Sequence, residues 1–285
     1  MEELDSLVQA VHKSPKYRNV SLDVVRNVGA RELAARRNWR DALKATKNKL
    51  HQVGAAYLDG VDYAGWLESL RIAGRTGDES ELRRVCREAM QHHSSTRERL
   101  TILDQFYART LAGLPPPRVV LDIACGLNPL AIPWMPFASL KMLARPFASL
   151  KMPARPFAPG VQYYAYDMYV DLANFLNAFM TIVGVQGQVE ACDVSARPPA
   201  RRADLALILK TLPCLEQLDK LAGARLLEAV QADHLLVSFP VRSLGGRDKR
   251  MRENYEAHFQ ELLLGKSWSV QRFEFSTELV FLIHK

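Results

Sequence analysis

The sequence has few cysteines and no long hydrophobic run. Its four cysteines lie far apart, at Cys86, Cys125, Cys192 and Cys214, and no two of them have C-x-x-C spacing. This spacing favours reduced thiols over a disulfide framework or a zinc site. No apolar stretch approaches the ~20 residues that a membrane span requires. The seven histidines include no i, i+4 pair that a helix could offer to a metal. The sequence therefore argues against disulfide-rich and membrane-spanning proteins, and it predicts no metal site.

The start of the chain also lacks the features of a secretory signal. It reads Met1-Glu2-Glu3-Leu4-Asp5, which is acidic where a signal peptide is basic and then apolar. Among the 285 residues, 48% are hydrophobic and 24% are charged, as in an ordinary globular protein. We therefore expect a cytoplasmic protein with one large domain or two modest ones, and we expect it to be a monomer without membrane partners.

Positive charge is concentrated near the start of the chain. The net charge is +7, and residues 11–50 contain eleven Lys/Arg against three Asp/Glu, a local excess of eight. Such a patch commonly binds a phosphate backbone, although many charged runs are only solvated helix faces. Tyr17 and Trp39 lie among these basic residues and favour nucleic-acid binding. The candidate contacts in this segment are Lys13, Lys16, Arg18, Arg36, Arg37 and Lys47.

The pattern of apolar residues changes near residue 115. Residues 1–115 show helical spacing, and Pro115-Pro116-Pro117 ends that region. Beyond it, helical segments at 169–183 and 216–230 alternate with short β-rich runs at 118–123, 161–166, 187–192, 204–209 and 234–239. This alternation predicts an α/β, Rossmann-like domain with a doubly wound parallel sheet over residues 116–285. Two last strands, at 268–275 and 278–284, predict a closing antiparallel hairpin.

A ten-residue tandem repeat interrupts the predicted sheet domain between its first two strands. The sequence PFASLKMLAR at 136–145 is followed by PFASLKMPAR at 146–155, and Pro156-Phe157-Ala158 begins a third copy. The period is too short for a solenoid unit. We therefore interpret residues 136–158 as a local duplication in a surface loop, where extra length costs little entropy.

Acidic residues end three of the predicted strands, in chain order. Asp122 is followed by a small-residue turn that contains Gly126, and Asp167 and Asp193 end the second and third strands. The carboxyl ends of such strands face one crevice. A carboxylate there can accept from both hydroxyls of a ribose, as we expect of Asp167, or from the amino group of adenine, as we expect of Asp193. The alternative for each acid is that it only caps the following helix.

Four longer segments resemble a known family. HSSTRERL at 93–100, DIACGLNPL at 122–130, LKTLP at 209–213 and SFPVRSLGG at 238–246 are similar to the aminoglycoside-resistance 16S ribosomal RNA methyltransferases, which modify N7 of guanine 1405 in the decoding site. The resemblance covers nearly the whole chain. The inserted repeat departs from the pattern of this family.

The resemblance implies an S-adenosylmethionine-dependent class I methyltransferase. Its helical region, residues 1–115, would dock on the assembled 30S subunit. The basic start of the helix at HSSTRER suits the methionine carboxylate of the cofactor, because arginines and helix N-termini both favour anions. The implied cofactor contacts are Ser95, Thr96, Arg99, Ala124, Gly126, Asp167, Asp193, Val194 and Leu209.

The implied reaction needs little acid–base machinery. Guanine N7 carries a lone pair and has no proton to lose, so methyl transfer requires placement rather than a strong base. The target base must leave its stack, and Phe239 is the candidate to stack on it. Lys210, Arg242 and Arg247 are the candidates to hold phosphate or base edges. Two alternatives remain open: a decoding-site adenine-N1 methyltransferase, and a non-catalytic rRNA-binding protein.

Overall fold

The computed structural model describes residues 2–55, 59–137, 160–241 and 251–285. The part that precedes the sheet is helical. Its helices are α1 Glu2–His12, α2 Leu22–Ala35, α3 Trp39–Leu50, α4 Tyr63–Thr76, α5 Glu79–Met90, α6 Ser94–Arg99 and α7 Leu103–Thr110, with a π-helical turn at His51–Ala55. Among the described residues, no helix is long and apolar enough to span a membrane.

Seven strands and four α-helices make up most of the rest of the described chain. The strands are β1 Val119–Ile123, β2 Gln162–Asp167, β3 Gln186–Ala191, β4 Ala203–Leu209, β5 Ala232–Pro240, β6 Ser269–Glu274 and β7 Glu278–His284. The helices are α8 Val170–Ile182, α9 Leu212–Leu218, α10 Ala222–Ala229 and α11 Met251–Leu263, and a 3-10 helix spans Asn128–Trp134. Among the described residues, β4 follows β3 with no helix between them.

The strands form one seven-stranded sheet in the order β3-β2-β1-β4-β5-β7-β6. β1 to β5 are parallel, and β7 lies antiparallel between β5 and β6. The predicted α/β fold and its closing hairpin are thereby confirmed. The strand order reverses between β1 and β4, which opens a crevice at the carboxyl ends of these strands, where ligands of such sheets bind.

Helices cover both faces of the sheet, which explains its apolar central strands. β4 and β5 are almost continuous buried runs, as expected for parallel strands packed on both sides. One face packs with α8 and the helical region in a single apolar cluster that extends from Leu7 to Leu282. The other face packs with α9, α10 and α11. The helical region therefore shares its core with the sheet domain.

Two expected helices are each divided in the structure. The segment 216–230 contains the end of α9 and all of α10, and the break lies at Asp219, whose carboxylate accepts from the backbone N–H of Leu221 and from Arg225. The helix expected to start at HSSTRER is the short α6, and a turn over residues 100–102 separates it from α7. A side chain that satisfies a backbone donor locally ends one helix and begins the next.

Most of the tandem repeat, residues 138–158, lies outside the described residues, and its interpretation as a loop duplication stays a prediction. The first two residues of the repeat are described. Phe137 is buried in the core cluster that faces the helical region.

Candidate active site

A cavity of about 310 Å³ opens at the carboxyl ends of the parallel strands. It gathers seven of the residues that the sequence singled out for cofactor or substrate: Ser95, Ala124, Asp167, Asp193, Val194, Leu209 and Lys210. Residues of the helices, and His93 just before α6, complete its wall, which includes Val24, Val53, Gly54 and Tyr255. The contacts of the seven with a cofactor stay predictions, and their convergence on one cavity supports them.

The turn after β1 passes very close to α6. Ala124 and Gly126 both have positive φ, at 52° and 51°, a region that side chains other than glycine rarely adopt. A Cβ on Gly126 would lie 2.7 Å from ring atoms of His93. Glycine is required here because the backbone is left-handed and the imidazole leaves no room. Gly126 itself does not line the cavity.

Asp167 ends β2 and fastens this turn to the next loop. One carboxylate oxygen accepts from the backbone N–H of Gly126 at 2.9 Å, and the other accepts from Met168 at 2.7 Å and Tyr169 at 3.2 Å. Burial raises the pKa of Asp167, and these backbone bonds oppose that shift. The carboxylate is therefore oriented at the cavity wall, with lone pairs left for hydroxyl donors.

Asp193 follows β3 and is held in a similar way. Its Oδ1 accepts from the backbone N–H and hydroxyl of Ser195 and from the N–H of Ala196. Its Oδ2 accepts from the amide of Asn27 at 2.9 Å. Asp193 thus caps a turn over residues 194–196, and not a helix as the alternative interpretation held, and Asp193 also lines the cavity.

His93 contributes a neutral ring to the cavity. Burial and the nearby cations Lys210, Arg99 and Arg97 lower the pKa of His93 to about 3. The imidazole is therefore uncharged at physiological pH. A neutral wall imposes no repulsion on a cationic ligand.

Two of the predicted cofactor residues are buried behind the cavity wall. Arg99 is fully buried, forms an ion pair with Glu278 at 2.8 Å and donates to Asn128. The hydroxyl of Thr96 donates to the carbonyl of Met90 at 2.6 Å. Neither residue lines the cavity, and the prediction that they contact the cofactor directly is not met in this arrangement. They hold α6 in place because their polar groups are satisfied inside the protein.

Lys210 lines the cavity, but its charge is already paired. Its backbone has φ 59°, and its ammonium contacts Glu98 at 2.6 Å, Glu278 at 3.4 Å and the carbonyl of Ser95 at 3.2 Å. Two carboxylates therefore neutralise the lysine. The prediction that Lys210 holds phosphate or base edges is wrong for this arrangement, because its donors are engaged and its side chain is only 7% exposed.

The prediction that Phe239 stacks on the target base is also wrong. Its side chain is fully buried, with its ring stacked on Tyr255 at a centroid distance of 5.1 Å and packed edge-to-face on Phe259 and Phe281. No face of this ring is open to a base. Tyr255 on α11, which stacks on Phe239, lines the cavity in its place, and sequence reasoning missed it. Arg242 and Arg247 lie outside the described residues, and their roles stay predictions.

The basic residues of the helical region lie at the surface. Five of the predicted rRNA contacts are exposed: Lys13, Lys16, Arg18, Arg36 and Arg37. The sixth, Lys47, is half-buried. The aromatic residues interleaved with them do not share this exposure. Tyr17 is buried, and Trp39 packs partly buried against the core. Charge, and not aromatic stacking, is therefore what this surface offers to a nucleic acid.

The hydrogen-bond acceptors and apolar side chains that line the cavity fit S-adenosylmethionine. The carboxylates of Asp167 and Asp193 accept hydrogen bonds, as the ribose hydroxyls and the adenine amino group require. Val194 and Leu209 provide an apolar wall for a flat base and for the methylene groups of the methionine chain. The carboxylates and the apolar surface would thus hold the two ends of one nucleoside.

The chain resembles known proteins along its whole length. It matches the family described as "Ribosomal RNA methyltransferase (FmrO)" over residues 13–143 and 138–282. A 16S rRNA (guanine(1405)-N(7))-methyltransferase of Micromonospora rosea is 35% identical over 100% of this chain and 97% of its own, and one of Serratia marcescens is 30% identical over 99% and 98%.

Solved structures agree with the sequence relatives. The 16S rRNA methyltransferase RmtF, crystallised with S-adenosyl-L-homocysteine, superposes with a TM-score of 0.79 at 31% identity, covering 100% of this chain and 99% of its own. The 16S rRNA methylase RmtB has a TM-score of 0.74 at 27% identity, with coverages of 99% and 98%. By sequence and by fold, the chain belongs to the FmrO family of ribosomal RNA methyltransferases.

Proposed function

We propose that this protein transfers a methyl group from S-adenosylmethionine to N7 of guanine 1405 of 16S rRNA, and that this confers aminoglycoside resistance. We further propose that it acts as a cytoplasmic monomer on the assembled 30S subunit. The observation that carries the proposal is the cavity at which Asp167 and Asp193 meet, in a chain whose full-length relatives are named for this activity. The exposed basic residues of the helical region supply the attraction to RNA.

The cavity suits an acceptor that needs no deprotonation. When bound, S-adenosylmethionine supplies an activated methyl group. The protein has to orient the acceptor and exclude water, since the lone pair of guanine N7 attacks without losing a proton. The carboxylates of Asp167 and Asp193 are tied to backbone donors, and Glu98 is paired with Lys210. These acids serve as fixed acceptors and counter-charges, which positioning requires.

Methylation at N7 explains resistance by simple chemistry. The modified base becomes cationic at its major-groove edge and loses an acceptor there. A polycationic aminoglycoside then meets repulsion and one fewer hydrogen bond. The methyl group is attached at N7, so the Watson–Crick donors and acceptor of the guanine stay in place.

We assign the stacking role to Tyr255. It lines the cavity together with Pro240 at the end of β5, away from the β2 and β3 carboxylates, and its ring is supported from behind by Phe239. An unstacked base gains about 1–3 kcal/mol from an aromatic platform. Only an aromatic ring at this position provides such a platform.

We expect Tyr255→Leu to lower kcat/KM for 30S subunits about 5- to 150-fold, the equivalent of one lost stacking contact, while Tyr255→Phe stays near wild type. Affinity for S-adenosylhomocysteine should not change in either variant. Phe239→Leu is the control, because it loosens the packing between Phe239 and Tyr255 and keeps the Tyr255 ring at the cavity. If Phe239→Leu loses as much activity as Tyr255→Leu at equal thermal stability, the role of Tyr255 is packing alone.

The proposed activity is tested by methyl transfer from labelled S-adenosylmethionine to purified 30S subunits. The modified base is then mapped by borohydride reduction and aniline cleavage, which cuts the RNA strand at N7-methylguanine. We expect label in 16S rRNA and one cut at position 1405. Protein-free 16S rRNA is the matched control substrate and should not be labelled efficiently.

Each other outcome identifies a different function. Label at a decoding-site adenine, with no aniline cut, would establish the adenine-N1 activity instead. Cofactor binding without label transfer would indicate a different substrate. Absence of both would indicate an RNA-binding protein without catalysis. Efficient labelling of protein-free rRNA would overturn the requirement for an assembled subunit.

A further inference from the structure

The helical region contacts the cavity through two side chains of α2. The carboxylate of Asp23 accepts from the backbone N–H of Asp193 at 2.9 Å. The side-chain amide of Asn27 donates to Oδ2 of Asp193, also at 2.9 Å. Residues four apart lie on one face of a helix, so one face of α2 binds both the backbone and the side chain of Asp193. Val24, between them in sequence, lines the cavity directly.

The residues just before α2 hold the loop after β2. Val20 forms an antiparallel bridge with Tyr169, the N–H of Ser21 donates to the carbonyl of Met168 at 2.8 Å, and the N–H of Val170 donates to Asn19 at 2.8 Å. Met168 and Tyr169 are the residues whose N–H groups bind the Asp167 carboxylate. Residues 19–27 therefore brace the loops that carry both cavity carboxylates.

Asp23 is well suited to this task. Burial raises its pKa, but hydrogen bonds from the Ser21 hydroxyl and from the backbone N–H groups of Asp193 and Val24 outweigh burial, and the net pKa is lowered. Asp23 therefore remains ionised and accepts from Asp193 throughout the physiological range.

We propose that α2 is a working part of the cofactor site, in which Asn27 is the positioning residue that sets the orientation of the Asp193 carboxylate toward the adenine amino group. Oδ1 of Asp193 is saturated by Ser195 and Ala196, whereas Oδ2 accepts from Asn27 alone among the described residues. The Asn27 amide fixes which way Oδ2 points and leaves a lone pair for one more donor. This inference rests on the proposed function only for the identity of the ligand.

The region that carries the basic surface and the domain that binds the cofactor are not separable modules. Arg31 and the predicted contact Arg36 lie near the far end of the helix whose first turns hold Asp193. A rigid helix thus spans the distance from the basic surface to the adenine side of the cavity.

The test is calorimetric binding of S-adenosylhomocysteine to the full chain carrying Asn27→Leu, which retains the branched heavy-atom shape of the side chain and removes its amide. We expect the Kd to rise about tenfold, because a misdirected Oδ2 loses its hydrogen bond to the adenine amino group, taken at the lower end of the range for a charged acceptor. KM for S-adenosylmethionine should rise in parallel, while kcat at saturating cofactor and affinity for 30S subunits stay at wild-type values. A merely structural defect would lower kcat and 30S affinity as well.

Asn19→Leu is the matched control, because the contact of Asn19 with the loop after β2 is made by its backbone carbonyl, which this substitution keeps. Asn19 donates its amide to Asp171 at 2.6 Å from the same segment, and neither residue lines the cavity. We expect its Kd for S-adenosylhomocysteine to stay within about twofold of wild type. Equal weakening by both variants, or an unchanged Kd in Asn27→Leu, overturns the proposal. If the wild-type chain itself fails to bind S-adenosylhomocysteine, the proposed function fails, and that result is distinct from both.

Discussion

Replacement of Asp167 by asparagine is expected to weaken binding of S-adenosylhomocysteine by at least about a hundredfold. Hydrogen bonds to a charged group contribute about 1.5–3 kcal/mol each, and two ribose hydroxyls would lose their charged acceptor. Each 1.4 kcal/mol is about tenfold in affinity. The substitution also places an amide N–H₂ among the backbone N–H donors of Gly126, Met168 and Tyr169. Donor facing donor should disorder the turn after β1 and the loop after β2 together.

The measurement is calorimetry on folded protein, and Asp204→Asn is the control. Asp204 is also a carboxylate bound to backbone donors, the N–H groups of Arg118 and Val119, each at 2.7 Å. It lies at the start of β4, whereas the cavity lies at the end of that strand. We expect Asp204→Asn to lower thermal stability without changing the Kd. If Asp167→Asn binds within tenfold of wild type, Asp167 is only a loop anchor.

The second large effect is expected from Glu278→Gln, which should lower the free energy of unfolding by about 3–5 kcal/mol. Glu278 is fully buried at the start of β7 and faces two cations, Arg99 at 2.8 Å and Lys210 at 3.4 Å. With a neutral glutamine here, Glu98 would be the one described carboxylate that still forms an ion pair with either cation. Its partner is Lys210. Loss of one partner from a buried pair is costly because the other charge stays desolvated.

Urea unfolding measures this effect, and Glu274→Gln is the control. Glu274 lies across the same hairpin turn and pairs with Arg252 and Arg272, but all three side chains are 37–41% exposed. Exposed pairs contribute ~0–1 kcal/mol, so Glu274→Gln should remain within that range. Equal losses in the two variants would contradict the account of the buried network.

The Glu278 network also predicts how stability depends on pH. Burial raises the pKa of Glu278, but Arg99 and Lys210 outweigh it and lower the pKa below its ordinary value of 4.5. A carboxylate with a lowered pKa in the folded state binds fewer protons there than in the unfolded state. Its contribution is complete above pH 4.5 and is lost as the pH falls through the lowered value. The difference in stability between wild type and Glu278→Gln should therefore shrink in acid.

The network connects stability to the site. Arg99 belongs to α6, Lys210 follows β4 and Glu278 begins β7, so one buried carboxylate fastens three elements around the cavity. Ser95, on the same helix as Arg99, and Leu209, next to Lys210, line that cavity. Glu278 is thus remote in sequence from every residue it holds, and no local pattern of the chain marks it.

Much of the fold and part of the site could be predicted from sequence. The five parallel strands and the final hairpin follow from short apolar runs separated by turn residues, which are local properties. Asp167 and Asp193 could be placed at one crevice because carboxyl ends of parallel strands share an edge. Gly126 could be placed in the tight turn by its lack of a Cβ. These predictions required only spacing and backbone geometry.

What only the tertiary structure decided is which way side chains face and which of them meet. Phe239 and Tyr255 are both aromatic and near the cavity, but packing buries the first and leaves the second on the wall. Arg99 was expected to contact the cofactor, but the fold buries it beside Glu278. Asn27 carries no signal apart from its spacing to Asp23, and its partner is 166 residues away. Burial and pairing depend on contacts between distant segments, whereas spacing and turn chemistry are written locally, so the sequence determined the elements and the tertiary structure assigned their side chains to core, pocket or surface.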